Sequence, residues 1–159
     1  MRDIIMDKTG SISENSSNLS TLAVDGLIYG LVSGIAMVVC LAAFTLLSGD
    51  SSGSTLELFS VEGLATPWQG LFGHLSVSVV YGALFGAMIW LMKSYLASRK
   101  ILSWLAGLIY AVILLLVAQF VVFPTTSSPV EAIPIWQWVF ANGVYGLVLG
   151  GLFARKLSG

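Results

Sequence analysis

Charged residues are scarce in this sequence. Only 9% of its 159 residues are Asp, Glu, Lys or Arg, whereas 57% are hydrophobic. A soluble domain carries about 25% charged residues, so this composition excludes an ordinary water-soluble fold. The formal net charge of -1 also gives no basic surface for a nucleic acid, and we expect no nucleic-acid partner.

Residue types that carry membrane chemistry are equally rare. His74 is the only histidine and Cys40 the only cysteine. Bis-histidine haem ligation needs two histidines, and a thiol oxidoreductase needs two cysteines. The motifs of intramembrane proteases, such as a HExxH zinc site, are also missing. We therefore expect no catalytic residue, cofactor or metal, only lipid contacts, and an inert thiol at Cys40.

Long apolar stretches are what the sequence has instead. Each of the four has 20 or more residues, enough to cross a hydrocarbon core of about 30 Å at a helical rise of about 1.5 Å per residue. The predicted spans are 22–47, 71–92, 101–123 and 135–154. The predicted fold class is an all-α membrane protein, an antiparallel bundle of four transmembrane helices.

Basic residues set the predicted orientation. They precede span one, connect spans two and three, or follow span four: Arg2, Lys8, Lys93, Arg99, Lys100, Arg155 and Lys156. Because basic segments stay inside, both termini are predicted to be cytoplasmic, in a bacterial-type plasma membrane. The outer loops are then 48–70 and 124–134, and the inner loop is 93–100.

The first twenty residues are predicted to be a flexible cytoplasmic tail, because they are polar and rich in Ser and Asn. Residues 21–159 are predicted to form one transmembrane domain. All five tryptophans fall near span ends and are interpreted as aromatic belts at the two membrane surfaces. They are Trp68, Trp136 and Trp138 outside, and Trp90 and Trp104 inside.

Small residues recur at helical spacing beside a tyrosine in every span. Residues four apart share a helix face, and a face of small residues lets a second backbone approach closely in lipid. The predicted packing residues are Gly26, Gly30, Gly34, Gly82, Gly86, Gly107, Ala111, Gly146 and Gly150.

The two halves of the chain also share short phrases. Gly-Leu-Ile-Tyr occurs at 26–29 and at 107–110, and a Trp-Gln pair opens both span two and span four. These matches predict two repeated helical hairpins, related by an axis along the membrane normal.

Polar side chains within the spans are the candidate site residues. The predicted polar cluster in the outer third of the membrane is His74, Ser78, Gln119 and Asn142. We expect His74 to face the bundle interior, with Asn142, Gln119 or a water as its partner; such groups serve either as interhelical contacts or as a site. The mid-membrane tyrosines Tyr81, Tyr110 and Tyr145 either bond to each other or to backbone carbonyls, or line a path.

Asp25 is the one carboxylate within a span, near its inner edge. It is either an interfacial group paired with Lys93 or an ion or proton site.

Three functions remain open from the sequence. The first is an accessory or scaffold subunit of a larger membrane complex, since glycine stripes are numerous enough to contact other subunits as well. The second is a small transporter or channel, a homo-oligomer with a path between the repeated hairpins. The third is a membrane enzyme or cofactor-binding protein that uses His74. A closed polar cluster favours the first function, and a water-filled cavity open to the acidic outer face favours the second.

Overall fold

A computed structural model describes the backbone of residues 2–49, 52–60, 66–96, 99–126 and 129–158, and the side chains of 19–49, 55–60, 66–96, 99–124, 130 and 132–158. All regular structure in these ranges is helical. Four helices there are long and apolar enough to cross a membrane, as in an integral membrane protein: Leu19–Leu47, Pro67–Leu96, Lys100–Val122 and Ile135–Lys156. The all-helical, four-span part of the prediction is confirmed.

The elements follow one another as helices joined by short connections. They are α1 (Arg2–Leu47), α2 (Ser52–Glu57), α3 (Pro67–Leu96), α4 (Lys100–Val117), a π-helical segment (Ala118–Val122), α5 (Phe123–Thr126), a 3₁₀ turn (Pro129–Ala132) and α6 (Ile135–Lys156). α3 exceeds its predicted span at both ends. It begins at Pro67 because the Thr66 hydroxyl accepts a hydrogen bond from the Gln69 N–H at 3.3 Å and proline suits the first helical position.

The N-terminal segment differs from the sequence prediction. Residues 1–20 are predicted to be flexible, yet α1 begins at Arg2 and continues to Leu47. No proline interrupts this stretch, and extending a helix costs far less than starting one. The apolar span therefore extends its helix back into the polar segment. At the other end α1 stops where Gly49 takes a φ of 87°, a conformation that favours glycine.

The four long helices pack as two pairs. The first pair is α1 with α3 and the second pair is α4 with α6; α1 also packs along α6, whereas α3 and α4 hardly touch. A Cβ at Gly82 would lie 2.2 Å from the Gly26 carbonyl oxygen, and one at Gly146 would lie 2.4 Å from the Gly107 carbonyl oxygen. The remaining predicted packing residues lie in the same two contacts: Gly30, Gly34, Gly86, Ala111 and Gly150. Small residues thus lie where the paired backbones come closest.

The two ends of the bundle differ in character. The basic end carries Lys93, Arg99, Lys100, Arg155 and Lys156, and the opposite α2 end carries α2 and the 3₁₀ turn. Toward the basic end the interior is filled by Phe85, Ile89, Leu149 and Phe153, each 0% exposed. The outer faces carry exposed Val, Leu, Ile and Phe side chains, which hydrocarbon can solvate.

α4 changes its hydrogen-bond register before the chain reaches the second loop. The Phe123 N–H donates to the Ala118 carbonyl, five residues back. Pro124 has no N–H, and in a regular α-helix its ring would crowd the carbonyl of Phe120. The wider π turn avoids that clash. Helix therefore continues through Pro124 to Thr126, although the sequence prediction places 124–134 in a loop.

Candidate functional site

A cavity of about 250 Å³ lies between the two pairs in the half of the bundle nearer the α2 end. Its lining comes from all four long helices and from the segments that cover them. The lining includes Phe59, His74, Val77, Ser78, Tyr81, Ala118, Val122, Phe123, Trp138, Asn142 and Tyr145. Most of this wall is apolar, with polar side chains at a few points.

Tyrosine hydrogen bonds join the pairs at mid-depth, below the cavity. The Tyr110 hydroxyl on α4 donates to the Tyr81 carbonyl on α3 at 2.9 Å. The Tyr145 hydroxyl on α6 donates to the Ser78 carbonyl at 3.0 Å. Of the alternatives left open by the sequence, these two phenols take backbone carbonyls as acceptors. The Tyr110 bond joins α3 to α4, whose backbones otherwise hardly touch.

The cavity opens sideways between α3 and the π-helical segment. Val77 and Val122 both line it, yet Val77 is 49% exposed and Val122 is 36% exposed. Gly73, one turn above Val77, is exposed as well. Lining residues that also reach the outer surface mark an opening. Because these residues lie within the candidate spans, the opening faces the hydrocarbon.

Aromatic rings cover the cavity toward the α2 end. The Phe59 ring centroid lies 4.8 Å from that of His74 and 5.8 Å from that of Trp138. The Trp138 indole N–H donates to the Val130 carbonyl at 3.4 Å, which ties the ring to the 3₁₀ turn. A hydrogen bond between the hydroxyls of Thr45 and Thr55 ties α2 to α1. The cover is thus attached to the bundle on both sides.

Three of the four predicted cluster residues share this wall. His74 Nε2 lies 3.4 Å from Ser78 Oγ, and the Ser78 hydroxyl also approaches the His74 carbonyl at 2.9 Å. The imidazole has the Gly34 backbone as a further polar neighbour. The Asn142 amide nitrogen donates to the Trp138 carbonyl at 3.0 Å. His74 thus lines the cavity, and its polar neighbours are Ser78 and the Gly34 backbone rather than either amide.

Gln119 lies apart from the other three residues. It is exposed and borders a separate pocket with Ile133 and Pro134. Ala118 and Val122, four residues apart, are the side chains of the π-helical segment that face the main cavity. Gln119 follows Ala118 directly and so turns away from it.

Asp25 pairs with Lys156 and not with Lys93. The Lys156 Nζ lies 3.1 Å from Asp25 Oδ2, and the two side chains are 42% and 18% exposed. The pair joins α1 to the last turn of α6 at the basic end of the bundle, whereas the cavity lies nearer the α2 end. This geometry favours the interfacial role among the two alternatives for Asp25.

Trp138 is the site residue that the sequence interpretation misplaced. It is only 7% exposed and contacts Phe59 and Phe123, so it does not belong to an aromatic belt. Trp136 is 51% exposed and fits the belt. Residues two apart on an α-helix point about 200° away from each other, so both could not face lipid. That spacing was the available signal; no comparable signal places Phe59 beside His74.

No protein-family model, curated protein or solved structure matches this chain. Within the part of the chain described, no three His, Cys, Asp or Glu side chains come together as metal ligands. The cavity between the helix pairs is therefore the feature from which a function can be inferred.

Proposed function

We propose that this protein is a small membrane transporter that holds a small, mainly apolar molecule in the cavity between its two helix pairs. The cavity carries the proposal: it has room for a ligand, a few polar groups on an apolar wall, and an opening toward hydrocarbon. Small-molecule sites typically combine an apolar lining with a few polar groups that orient the ligand.

Matching contacts in the two pairs support the predicted duplication. The matches are Gly26 on Gly82 with Gly107 on Gly146, and Leu22 on Gly86 with Ser103 on Gly150. In every helix involved, the two contact residues are four apart, so both pairs cross in the same register. Two repeated hairpins would produce this agreement.

Two like halves would also provide the motion that transport requires. In transporters built from repeats, one half rocks as a rigid body against the other and so opens or closes the path. Here α1 packs along α6, while α3 and α4 hardly touch. Rocking about the α1–α6 contact would change the width of the opening beside Val77.

The basic end is proposed to be cytoplasmic, because all seven Lys and Arg residues fall in segments on that side. The cavity would then lie in the outer half of the membrane. Uptake from the outer leaflet is the corresponding direction of entry.

Cysteine labelling tests this orientation. In a Cys40→Ala background, cysteines placed at Ser52 or Ser127 should react with an impermeant maleimide in intact cells, whereas one at Ser98 should react only after lysis. Cys40 must be removed because it is the one native thiol. The reverse labelling pattern would contradict the orientation and put the cavity in the inner half.

The accessory-subunit function stays a prediction with weaker support. Its grounds are the small size of the chain, the missing catalytic residues, and glycine stripes numerous enough to contact other subunits as well. The predicted stripe glycines pack within the chain, against the partner helix of their own pair. A stable complex with other membrane proteins in mild detergent would nevertheless favour that function over transport.

Filling the cavity tests the transport proposal. Val77→Trp and Ala118→Trp enlarge side chains on the two sides of the opening. Val80→Trp is the matched control, because Val80 lies on α3 but is 56% exposed and off the lining. Purified proteins would be extracted with solvent, and the extracts compared by mass spectrometry. We expect a small molecule to be present with the wild type and with Val80→Trp, and reduced at least tenfold in both filled variants.

The same variants separate transport from simple binding. The molecule found in the extract would be loaded into proteoliposomes, and its release would be followed over time. Release should be faster with wild-type protein than with Ala118→Trp. Equal release rates would contradict transport, and the absence of any molecule enriched with the wild type would contradict a ligand site.

A further inference from the structure

The polar groups on the cavity wall carry no carboxylate, ammonium or guanidinium. Among the described lining residues the polar side chains are His74, Ser78, Tyr81, Asn142, Tyr145 and the Trp138 indole. A charged ligand would enter a site without a carboxylate or a basic Lys or Arg to pair with it. Burying an unpaired charge is far more costly than burying a neutral polar group.

Asn142 is a polar side chain on the cavity wall with an unused hydrogen-bond acceptor. It is 9% exposed, and its amide nitrogen is held by the Trp138 carbonyl. Since the nitrogen faces that carbonyl, the amide oxygen is left, and it accepts no hydrogen bond from any residue that the structure describes. Asn142 also lines the cavity, so its amide oxygen can accept a hydrogen bond from a donor on whatever occupies the cavity.

The neighbouring tyrosine hydroxyls differ in whether their proton is already used in a hydrogen bond. The Tyr145 proton is committed to the Ser78 carbonyl. The Tyr81 hydroxyl makes no hydrogen bond within the described residues, so it can donate or accept. The wall thus offers one free acceptor on α6 and one free hydroxyl on α3, on opposite pairs of the bundle.

Size and shape restrict the ligand's apolar body. An apolar cavity of about 150 Å³ accommodates benzene, so a cavity of about 250 Å³ has room for a ring with a branched substituent. Phe59, Phe123 and Trp138 provide ring faces on the wall. The side opening beside Val77 leads to hydrocarbon, where such a molecule would dissolve.

We infer that the cavity takes an uncharged, ring-sized amphiphile from the membrane, one that donates a hydroxyl or N–H hydrogen bond to the Asn142 amide oxygen. This inference rests on the proposed function in requiring that the cavity bind a ligand. It adds the ligand's class: an apolar body, one hydrogen-bond donor and no charge.

Three probes with the same apolar body test the class. They are 4-tert-butylphenol, which has a donor; 4-tert-butylanisole, which has the oxygen without the donor; and 4-tert-butylbenzoate, which is charged. Binding to the full chain in lipid nanodiscs would be measured by equilibrium dialysis, with empty nanodiscs and Ala118→Trp nanodiscs subtracted. We expect saturable binding of the phenol about three- to tenfold tighter than that of the anisole, the range of one hydrogen bond. The benzoate should show no saturable binding.

The variant Asn142→Leu assigns the donor preference to this residue. Leucine keeps the side-chain size but removes the acceptor, so phenol and anisole should then bind with similar affinity while anisole binding is unchanged. Should Asn142→Leu not fold, the phenol-to-anisole ratio of the wild type still decides the matter.

Failure of this inference is distinguishable from failure of the proposed function. Equal binding of phenol and anisole, or preferred binding of the benzoate, overturns the ligand class while leaving a ligand site in place. No saturable binding of any probe also overturns it, even where a co-purifying molecule is lost in Ala118→Trp. If filling the cavity does not reduce the amount of co-purifying molecule, both the ligand class and the proposed function are overturned.

Discussion

Gly146→Ala should lower the free energy of unfolding by about 1–3 kcal/mol, whereas Gly143→Ala should leave it unchanged or raise it slightly. A methyl group at Gly146 would lie 2.4 Å from the Gly107 carbonyl oxygen and 2.7 Å from the Ala111 Cβ. Because a backbone oxygen cannot rotate aside, α4 and α6 must separate. Overpacked interiors lose about 1–3 kcal/mol, and close contact is the main attraction between apolar helices in lipid.

Gly143 provides the control on the same helix. Nothing lies within 4 Å of the Cβ that alanine would add there. Alanine in a helix interior is favoured over glycine by up to about 1 kcal/mol, which sets the sign of the expected effect. Thermal denaturation in mild detergent, followed by size-exclusion chromatography of the surviving protein, would compare the two variants. Equal losses would contradict a packing role specific to Gly146.

Phe153→Ala should destabilise the protein by about 2–3 kcal/mol. The ring is fully buried and lies 5.0 Å from Tyr29 and 5.5 Å from Phe85, centroid to centroid, so it connects α6 with α1 and α3. In a soluble protein this change costs about 3–5 kcal/mol. Here part of that cost is absent, because a ring that leaves the bundle meets lipid rather than water. A vacated space of roughly 100 Å³ at about 24 cal/mol per Å³ gives the expected value.

Phe72→Ala is the matched change on the lipid-facing surface. Phe72 lies on α3 and is 65% exposed, so its loss leaves no cavity inside the bundle. The expected effect is within about 0.5 kcal/mol. The same detergent assay applies. A loss at Phe72 as large as that at Phe153 would show that ring size, rather than interior packing, determines the stability.

The sequence predicts the four helical spans, and it proposes their packing faces, because both follow from local rules. Span length depends on the thickness of hydrocarbon, and the repeated small residues at Gly26 and Gly107 identify a face without any knowledge of the partner helix. The helix ends at Arg2 and Thr126 also have local causes. Helix extension continued through a polar segment at Arg2, and a π turn accommodated the proline at Pro124.

The cavity could be predicted only in part. His74, Ser78 and Asn142 are recognisable because polar groups in apolar spans are rare. The space between them lies among four helices and the π-helical segment, so it depends on how distant parts of the chain pack. Gln119 was included because of its depth alone; its direction depends on the helical register next to Pro124. The depth of a residue in the membrane can be counted along the sequence. The direction of its side chain cannot be counted in this way where an α-helix changes to a π-helix.

The unequal sides of the bundle have a consequence for how such a protein could arise. In a symmetric homodimer of a two-helix subunit, the contact between the first helix of one subunit and the second helix of the other occurs twice, and the two copies must be identical. Both would be tight or both would be open. In this chain the α1–α6 contact is tight while α3 and α4 hardly touch. If the chain arose from two fused hairpins, as we propose, fusion would remove the symmetry requirement, so that one contact could stay tight while the other stayed open.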